Sequence, residues 1–431
     1  MNFLKKQSPV RIISLGFALV ILIGSVLLSL PCSIRDGVTL RYIDALYMST
    51  SAVCVTGLLT VDAGDTFTPL GQFFLGMLIQ VGGLGVTAVG TGVILAMGKK
   101  INLKARNLIR EAGNLDSGKG VIRFIRLVFL TTVTFELAGA ALSFLVFRKN
   151  FPPLKAAGVS LFHSVASFNN SGFDILGGGQ NLIPYQDDIF LNLVTCALVI
   201  FGGIGFLVIR EVIAKRFRWK KLSMHAKVVL FMSLVLTAAG TVLLKLTEDI
   251  TWMGAFFTSV SARTAGFSTF PLGSFSSAGL LTVIVLMVIG ASPGSTGGGI
   301  KTTTCYVLFE GIRSSATNTS EKAFRYAVPA DAFRKAAVIT LLAIGIVLSG
   351  TYILVILEPG VPFLDALFEM SSAFGTAGLS TGISAGLCDA AKILTILIMF
   401  IGRLGPLTIA SLWYFTKGER VSYPEGNIAI G

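Results

Sequence analysis

The sequence has 431 residues, of which 53% are hydrophobic and only 13% charged, with a mean hydropathy of +0.79. Soluble globular chains carry about 25% charged residues, so this composition excludes a soluble domain and points to an integral membrane protein. The net charge of +13 would suit a nucleic-acid partner, but its placement along the chain argues against one.

A short basic head (Lys5, Lys6, Arg11) precedes the first apolar stretch, residues 12–30. Together they resemble a signal peptide, but no small-x-small cleavage site follows, and the stretch is expected to stay as a span. Further apolar runs long enough to cross a bilayer core of ~30 Å, which takes ~20 helical residues, are predicted at 121–147, 225–244 and 334–357. Each is followed by a second run, at 71–97, 188–209, 278–313 and 391–415, for eight crossings. Between the members of each pair lie apolar-amphipathic segments near 42–53, 158–168, 252–262 and 363–374. They are too short to cross and suit re-entrant helices.

Aligned on Gly57, Gly172, Gly266 and Gly378, the ends of these short segments read TSAVCVTGL, VASFNNSGF, SVSARTAGF and SSAFGTAGL. A small residue precedes each glycine (Thr56, Ser171, Ala265, Ala377) and a large apolar one follows (Leu58, Phe173, Phe267, Leu379). Ten residues upstream stands an aromatic each time: Tyr47, Phe162, Phe256, Phe368. This is one unit in four copies, divided as 1–104, 105–217, 218–320 and 321–431. The predicted fold is all-α and integral to the membrane, with four tandem span–pore helix–span repeats around one central pore.

Of the 35 Lys and Arg, 26 fall in the loops joining units and in the two tails, with eight acids. The opposite side has seven basic and twelve acidic residues, Asp62, Asp65 and Asp174 among them. The positive-inside rule then puts both termini in the cytoplasm and brings the glycine loops in from outside. The positive charge is a topology signal, with no nucleic acid implied. The acidic outer face would modestly concentrate cations at the mouth.

A short helix entering from outside points its partially negative end at the membrane centre. After it, glycine permits positive φ and brings the backbone close to an ion, and rings of carbonyls replace a hydration shell in selective filters. Tight helix packing is the alternative use of such glycines, favoured by one copy and disfavoured by four in register. The five cysteines (Cys32, Cys54, Cys196, Cys305, Cys388) have neither disulfide nor metal-ligand spacing and are read as structural. No His, Asp or Glu cluster of the kind an enzyme needs is present.

Residues 290–301 interrupt the sixth crossing with five glycines (Gly290, Gly294, Gly297, Gly298, Gly299) and Pro293, ending at Lys301. A continuous helix would lose about 8 kcal/mol by propensity alone, so a break is expected, with a merely kinked helix as the alternative. The stretch looks like a phosphate loop, but Ile300 separates the last glycine from Lys301 and no strand precedes it. Arg403, inside the last span, needs a cavity or partner, since an intramembrane arginine costs at least ~2.5–3.5 kcal/mol. It is expected to bond carbonyls of residues 294–299, a structural ion pair being the alternative. Arg263 and Glu369 are candidates to brace the filter as a pair, and Glu136 is a third buried charge. His163 and His225 are read as helix-end residues.

With these motifs the chain resembles the Trk/Ktr/HKT superfamily of potassium transporters, and within it the KtrB-type membrane subunit, over nearly its whole length. The resemblance implies a degenerate potassium filter at Val55-Thr56-Gly57, Asn170-Ser171-Gly172, Thr264-Ala265-Gly266 and Thr376-Ala377-Gly378. Asn169 and Asn170 make the second loop the most divergent. Sodium-preferring members often carry serine for the first glycine, so Gly57 points to potassium. Residues 290–301 would be an intramembrane gate under the filter with Arg403 beside it. No cofactor is implied; potassium is the transported ion, with sodium as an activator left open. The implied partners are the lipid bilayer, a second copy in a homodimer, and a cytoplasmic nucleotide-binding ring of the RCK (KtrA-like) type. The basic linkers and the tail from Lys417 are its candidate contact surfaces, and the location would be a bacterial plasma membrane. A secondary transporter of a small solute with discontinuous helices is the alternative; it predicts inverted or two-fold repeats.

Overall fold

In a bilayer each backbone N–H and C=O must find a partner within the protein, and the apolar runs meet this as helices. The computed structural model describes residues 9–96, 121–329 and 331–411. The expected topology signals Lys5, Lys6, Lys99, Lys100, Lys104, Arg106, Arg110, Lys119, Lys417 and Arg420 lie outside these residues.

Four long helices, Pro9–Leu28, Val121–Phe147, Met224–Thr247 and Ala332–Leu357, fall within three residues of the first-member spans expected from hydropathy. Leu19, Leu130, Leu234 and Leu341 stand exposed on their outer faces, as lipid-facing side chains do. The short helices are Tyr42–Cys54, Pro153–Phe168, Trp252–Ala262 and Phe363–Gly375. The second starts five residues ahead of expectation because Pro153 occupies its first turn, where a proline costs no hydrogen bond. An antiparallel pair, Lys322–Ala323 with Tyr326–Ala327, was not anticipated.

The second-member spans differ from the prediction of one break. All four are interrupted: Pro69–Leu84 and Val86–Ala96 at Gly85, Ile189–Ile204 and Phe206–Ala214 at Gly205, Ser277–Val288 and Thr302–Thr317 across the glycine-rich loop, and Asp389–Leu404 and Pro406–Ser411 at Gly405. The three single glycines adopt nearly one conformation (φ 86, 92 and 90°) that L-residues rarely enter. At Gly205 the two halves meet at 99°. By length and composition four described helices can cross a membrane, or five with that bent pair counted as one span. The remaining second members fall short of the expected eight crossings because their helices are cut.

One device seats three of the short helices. Ser49, Ser164 and Ser259 donate to the carbonyls of Ile21, Glu136 and Thr237 on the neighbouring long helix at 2.7, 2.6 and 2.9 Å. Gly24, Gly139 and Gly240 make room for those hydroxyls, since a Cβ there would overlap them and a leucine of the broken helix. Each of these three short helices is thereby locked between the two helices of its own unit, which decides where its C-terminal end points.

The first and last units are joined by a buried ion pair. Lys392 Nζ lies 2.7 Å from Asp44 Oδ1, with side chains only 3% and 8% exposed. Removing one partner of a buried pair costs about 3–5 kcal/mol because the other charge is stranded. Arg41, 3.0 Å from Asp44, remains after Lys392→Met, so the loss is expected at the lower end of that range. Thermal unfolding in detergent checks it: the single variant should melt well below the parent, and Lys392→Met with Asp44→Leu should recover most of the loss. An unchanged melting point for the single variant would show that the pair does not hold this seam.

Candidate functional site

Two positions before its glycine, each loop carries a residue with positive φ: Val55 (57°) and Thr376 (50°) directly cap their helices, while Asn170 (58°) and Thr264 (77°) come one residue after the cap. Three of these are β-branched, for which this region is an outlier costing about 1–3 kcal/mol. In three loops a shared turn imposes it. Thr56, Ser171 and Ala377 N–H donate to Ser51, Ala166 and Ser372 carbonyls at 2.8, 2.9 and 2.9 Å, the six-to-one bond of a helix-ending motif. The third loop is tighter, Ala265 N–H reaching Ser261 O at 2.8 Å.

These turns bring the four glycines face to face. A Cβ on Gly57 would overlap the carbonyl oxygen of Ser171, and one on Gly172 would lie 2.8 Å from that of Ala265. One on Gly266 would lie 2.8 Å from that of Ala377, and one on Gly378 would overlap that of Thr56. The order runs first to second, second to third, third to fourth and fourth back to first. The backbone of residues 55–57, 170–172, 264–266 and 376–378 thus forms a closed ring, with no room at Gly57 for any side chain. Thr56, Ser171, Ala265 and Ala377 are buried in it.

The two asparagines of the second loop serve as backing. Asn169 Nδ2 donates to Gln80 Oε1 (2.8 Å) and Glu136 Oε1 (2.9 Å), so the intramembrane Glu136 is hydrogen-bonded behind the loop. The Asn170 amide satisfies both its ends by donating to Val199 and Ser167 carbonyls at 3.2 Å and accepting from Thr264 Oγ1 at 3.3 Å. Glu369 accepts from Ser380 Oγ (2.8 Å) and from Ser384 Oγ. Among the described residues no ion pair joins it to Arg263, whose Nε is buried without a hydrogen-bond partner, so the expected brace is not formed. His163 sits inside its helix, not at an end, 2.9 Å from Thr195 Oγ1. His225 is near the start of Met224–Thr247. Among the described residues no group of His, Cys, Asp and Glu is placed to hold a metal ion.

Residues 289–301 lie directly against the ring. Gly298 N–H donates to Thr376 Oγ1 at 3.0 Å, and a Cβ on Gly297 would overlap Thr264 Oγ1, so the loop touches two positive-φ residues of the ring. The broken helix at Gly205 supplies what a non-helical backbone needs. Ser292 and Thr296 N–H donate to Gly203 and Gly202 carbonyls at 3.0 and 3.2 Å, and Phe206 N–H donates to Gly294 O at 3.1 Å. Pro293 lies beside Gly205, its carbonyl 2.7 Å from where a Cβ would stand. Gly290 and Gly299 close the loop's neck, 3.1 Å apart by the same measure. Lys301 Nζ donates to Gly297 O (2.8 Å) and Gly298 O (3.2 Å).

Arg403 donates through its two terminal nitrogens to Thr296 O, to Gly82 O and, at 3.3 Å, to Gly83 O. It therefore ties the loop to the break of the first unit. Among the described ion pairs none includes Arg403. It sits at one of the extra breaks. Gly82-Gly83-Leu84-Gly85, Gly202-Gly203-Ile204-Gly205 and Gly402-Arg403-Leu404-Gly405 are one motif, with Arg403 standing where two units carry glycine. The first glycine of each packs on a carbonyl at the end of a short helix (Val53, Phe168, Phe374). Like the ring glycines, this motif is visible in the sequence as a repeat.

On the other side of the ring lies a cavity of about 300 Å³, lined by Gly57, Gly266 and Gly378 together with Asp62, Asp174, Asn181, Ser268 and Ser380. Asp62 and Asp65 carboxylates accept from Gly179 and Gly178 N–H at 2.8 Å. Burial pushes the Asp174 carboxyl, which stands in the loop beyond the ring, up to about 7, against the opposing pull of the Leu176 N–H.

A family model described as TrkH, cation transport protein, matches residues 10–416. The Ktr system potassium uptake protein B of Bacillus subtilis is 36% identical, the match covering 98% of this chain and 97% of that protein. The potassium/sodium uptake protein NtpJ of Enterococcus hirae is 35% identical over 99% of this chain and 98% of its own. The crystal structure of the potassium transporter TrkH from Vibrio parahaemolyticus superposes with a TM-score of 0.75 at 19% identity, covering 95% of this chain and 86% of that one.

Proposed function

The chain belongs to the TrkH family of cation transport proteins, a family of membrane ion transporters, and we propose that it takes up potassium through the ring of four glycine loops. The observation that carries this reading is the closed cyclic order of the ring, each glycine against the carbonyl that precedes the next. A desolvated monovalent cation on that axis would meet backbone oxygens from all four units and the partially negative ends of four helices. Gly57, in a ring with no room for a side chain, favours potassium over sodium.

On this reading the four units are 1–104, 105–217, 218–320 and 321–431, each a span, a pore helix and a broken span, giving eight crossings with both termini cytoplasmic. Residues 290–301 form the gate, held closed by Arg403 and Lys301 on its carbonyls. Two relatives are named as parts of a Ktr system. By analogy this chain is proposed to work as a homodimer on a cytoplasmic nucleotide-binding ring, with sodium as an activator.

Uptake of rubidium or potassium into liposomes carrying the purified protein, with sodium in parallel, tests the reading. Potassium-selective entry supports it, and equal entry of both ions removes the selectivity claim. The same assay reads the cavity. Above about pH 7 Asp174 is charged and draws cations to the ring; below it the carboxyl is neutral. Acidifying the outer face from about pH 8 to about pH 6 is therefore expected to raise the KM for potassium several-fold. Asp174→Asn should show the high KM at both pH values. A pH response that survives Asp174→Asn would assign it elsewhere.

A further inference from the structure

Asn181 stands in the outer loop of the second unit, nine residues after Gly172, with a positive φ of 51°. Its amide spends its full hydrogen-bonding capacity of two donors and two acceptor sites, three on its own outer loop and one on the third loop. Nδ2 donates to the carbonyl of Gly172 at 3.1 Å and to Asp174 Oδ2 at 3.0 Å. Oδ1 accepts from Leu182 N–H at 2.9 Å and from Ser268 N–H, two residues beyond Gly266, at 3.1 Å. Leu182 N–H also reaches Ser268 O at 3.1 Å. One side chain thus staples the second loop of the ring to the third, on the cavity side. Among the described residues, Gly172 is the ring glycine whose carbonyl receives a hydrogen bond.

Discrimination between cations of different size depends on how many carbonyls face the ion and how freely they move. The first loop is backed by the Gly57 N–H bond to Ser51 Oγ at 3.0 Å, and the fourth by Ser380 on Glu369. Between the second and third loops, among the described residues, the outer side is cross-linked by the Leu182 N–H bond to Ser268 O and by Asn181, whose side chain alone also reaches the Gly172 carbonyl. We propose that Asn181 is a positioning residue for ion selectivity, fixing the Gly172 carbonyl against the Ser268 backbone so that the ring cannot contract around the smaller sodium ion. This rests on the ring being the filter. The bland reading, that Asn181 merely folds an outer loop, predicts lost stability and no change in ion preference.

Asn181→Gly and Asn181→Asp both tolerate the positive φ and both remove the amide donor, so neither relies on a strained backbone. Each is purified, its melting point measured, and potassium and sodium entry compared in liposomes beside the parent and Gly57→Ser. The expected result is a fall of about tenfold in the preference for potassium, equivalent to about 1.4 kcal/mol, carried by increased sodium entry. An unchanged preference in both variants, or an equal loss of both ions, overturns the staple while Gly57→Ser still shifts. If Gly57→Ser leaves the preference unchanged, the filter reading fails, and this inference with it.

Discussion

Gly57→Ser is expected to lower potassium entry about tenfold or more and to shift the preference toward sodium. Two separate costs arise at this position. Backbone φ is 96°, a conformation that costs an L-residue on the order of 1–2 kcal/mol, and that cost falls on the local turn. The second cost is positional: the new Cβ overlaps the carbonyl oxygen of Ser171 and comes within 3.2 Å of Gly378 Cα. Neither neighbour is a side-chain tip that can swing aside; both are ring backbone. If the ring is the filter, as proposed, the displaced Ser171 carbonyl turns away from the axis and the ion loses one oxygen on one side. Strain alone would lower stability and leave the ion preference intact, whereas displacement of Ser171 O changes the preference in a protein that still folds. Entry measured as a potassium-to-sodium ratio separates the two. A folded variant with the parental ratio would show that this ring does not select.

Arg403→Ala is expected to raise entry of both ions several-fold while leaving their ratio near the parental value. The guanidinium places a positive charge under the ring and holds Thr296 O and the Gly82–Gly83 carbonyls together. Hydrogen bonds from a charged donor are worth roughly 1.5–3 kcal/mol each, so losing this cluster loosens the loop as well as removing the charge. Lys301 still holds Gly297 and Gly298 carbonyls, which is why partial and not complete release is expected. Lys301→Met added to Arg403→Ala should raise entry further. Unchanged entry in both variants would leave Arg403 as packing for three broken helices and nothing more.

Much of this protein is legible in its sequence, for reasons that differ by element. The four long helices follow from hydropathy because length and apolarity alone decide whether a helix suits a bilayer. The ring glycines follow from self-similarity, since a residue type required by backbone geometry recurs wherever that geometry recurs. The break at 290–301 is legible because five glycines and a proline exceed what a helix tolerates. A single glycine does not, so by local composition the breaks at Gly85, Gly205 and Gly405 look like continuous span. Only their common Gly-x-Leu/Ile-Gly pattern marks them.

Pairing was legible only in part. Arg403 was expected on carbonyls of 294–299 and meets Thr296 O there, because an intramembrane arginine near exposed carbonyls has few other recipients. The Arg263–Glu369 brace was a matter of cost alone, and the structure instead gives Glu369 two serine hydroxyls. Asp44 with Lys392, 348 residues apart, left no local pattern at all.

By itself, then, the sequence determined that the chain belongs in a membrane, that it is built from long apolar helices, and that four glycine turns recur. These depend on composition and local backbone preference, which a linear chain carries with it. The tertiary structure alone decided which carbonyl each glycine faces, where the broken helices send their freed N–H and C=O groups, and which amide staples one loop to the next. Those are matters of distances between segments far apart in the chain, set only when the helices pack.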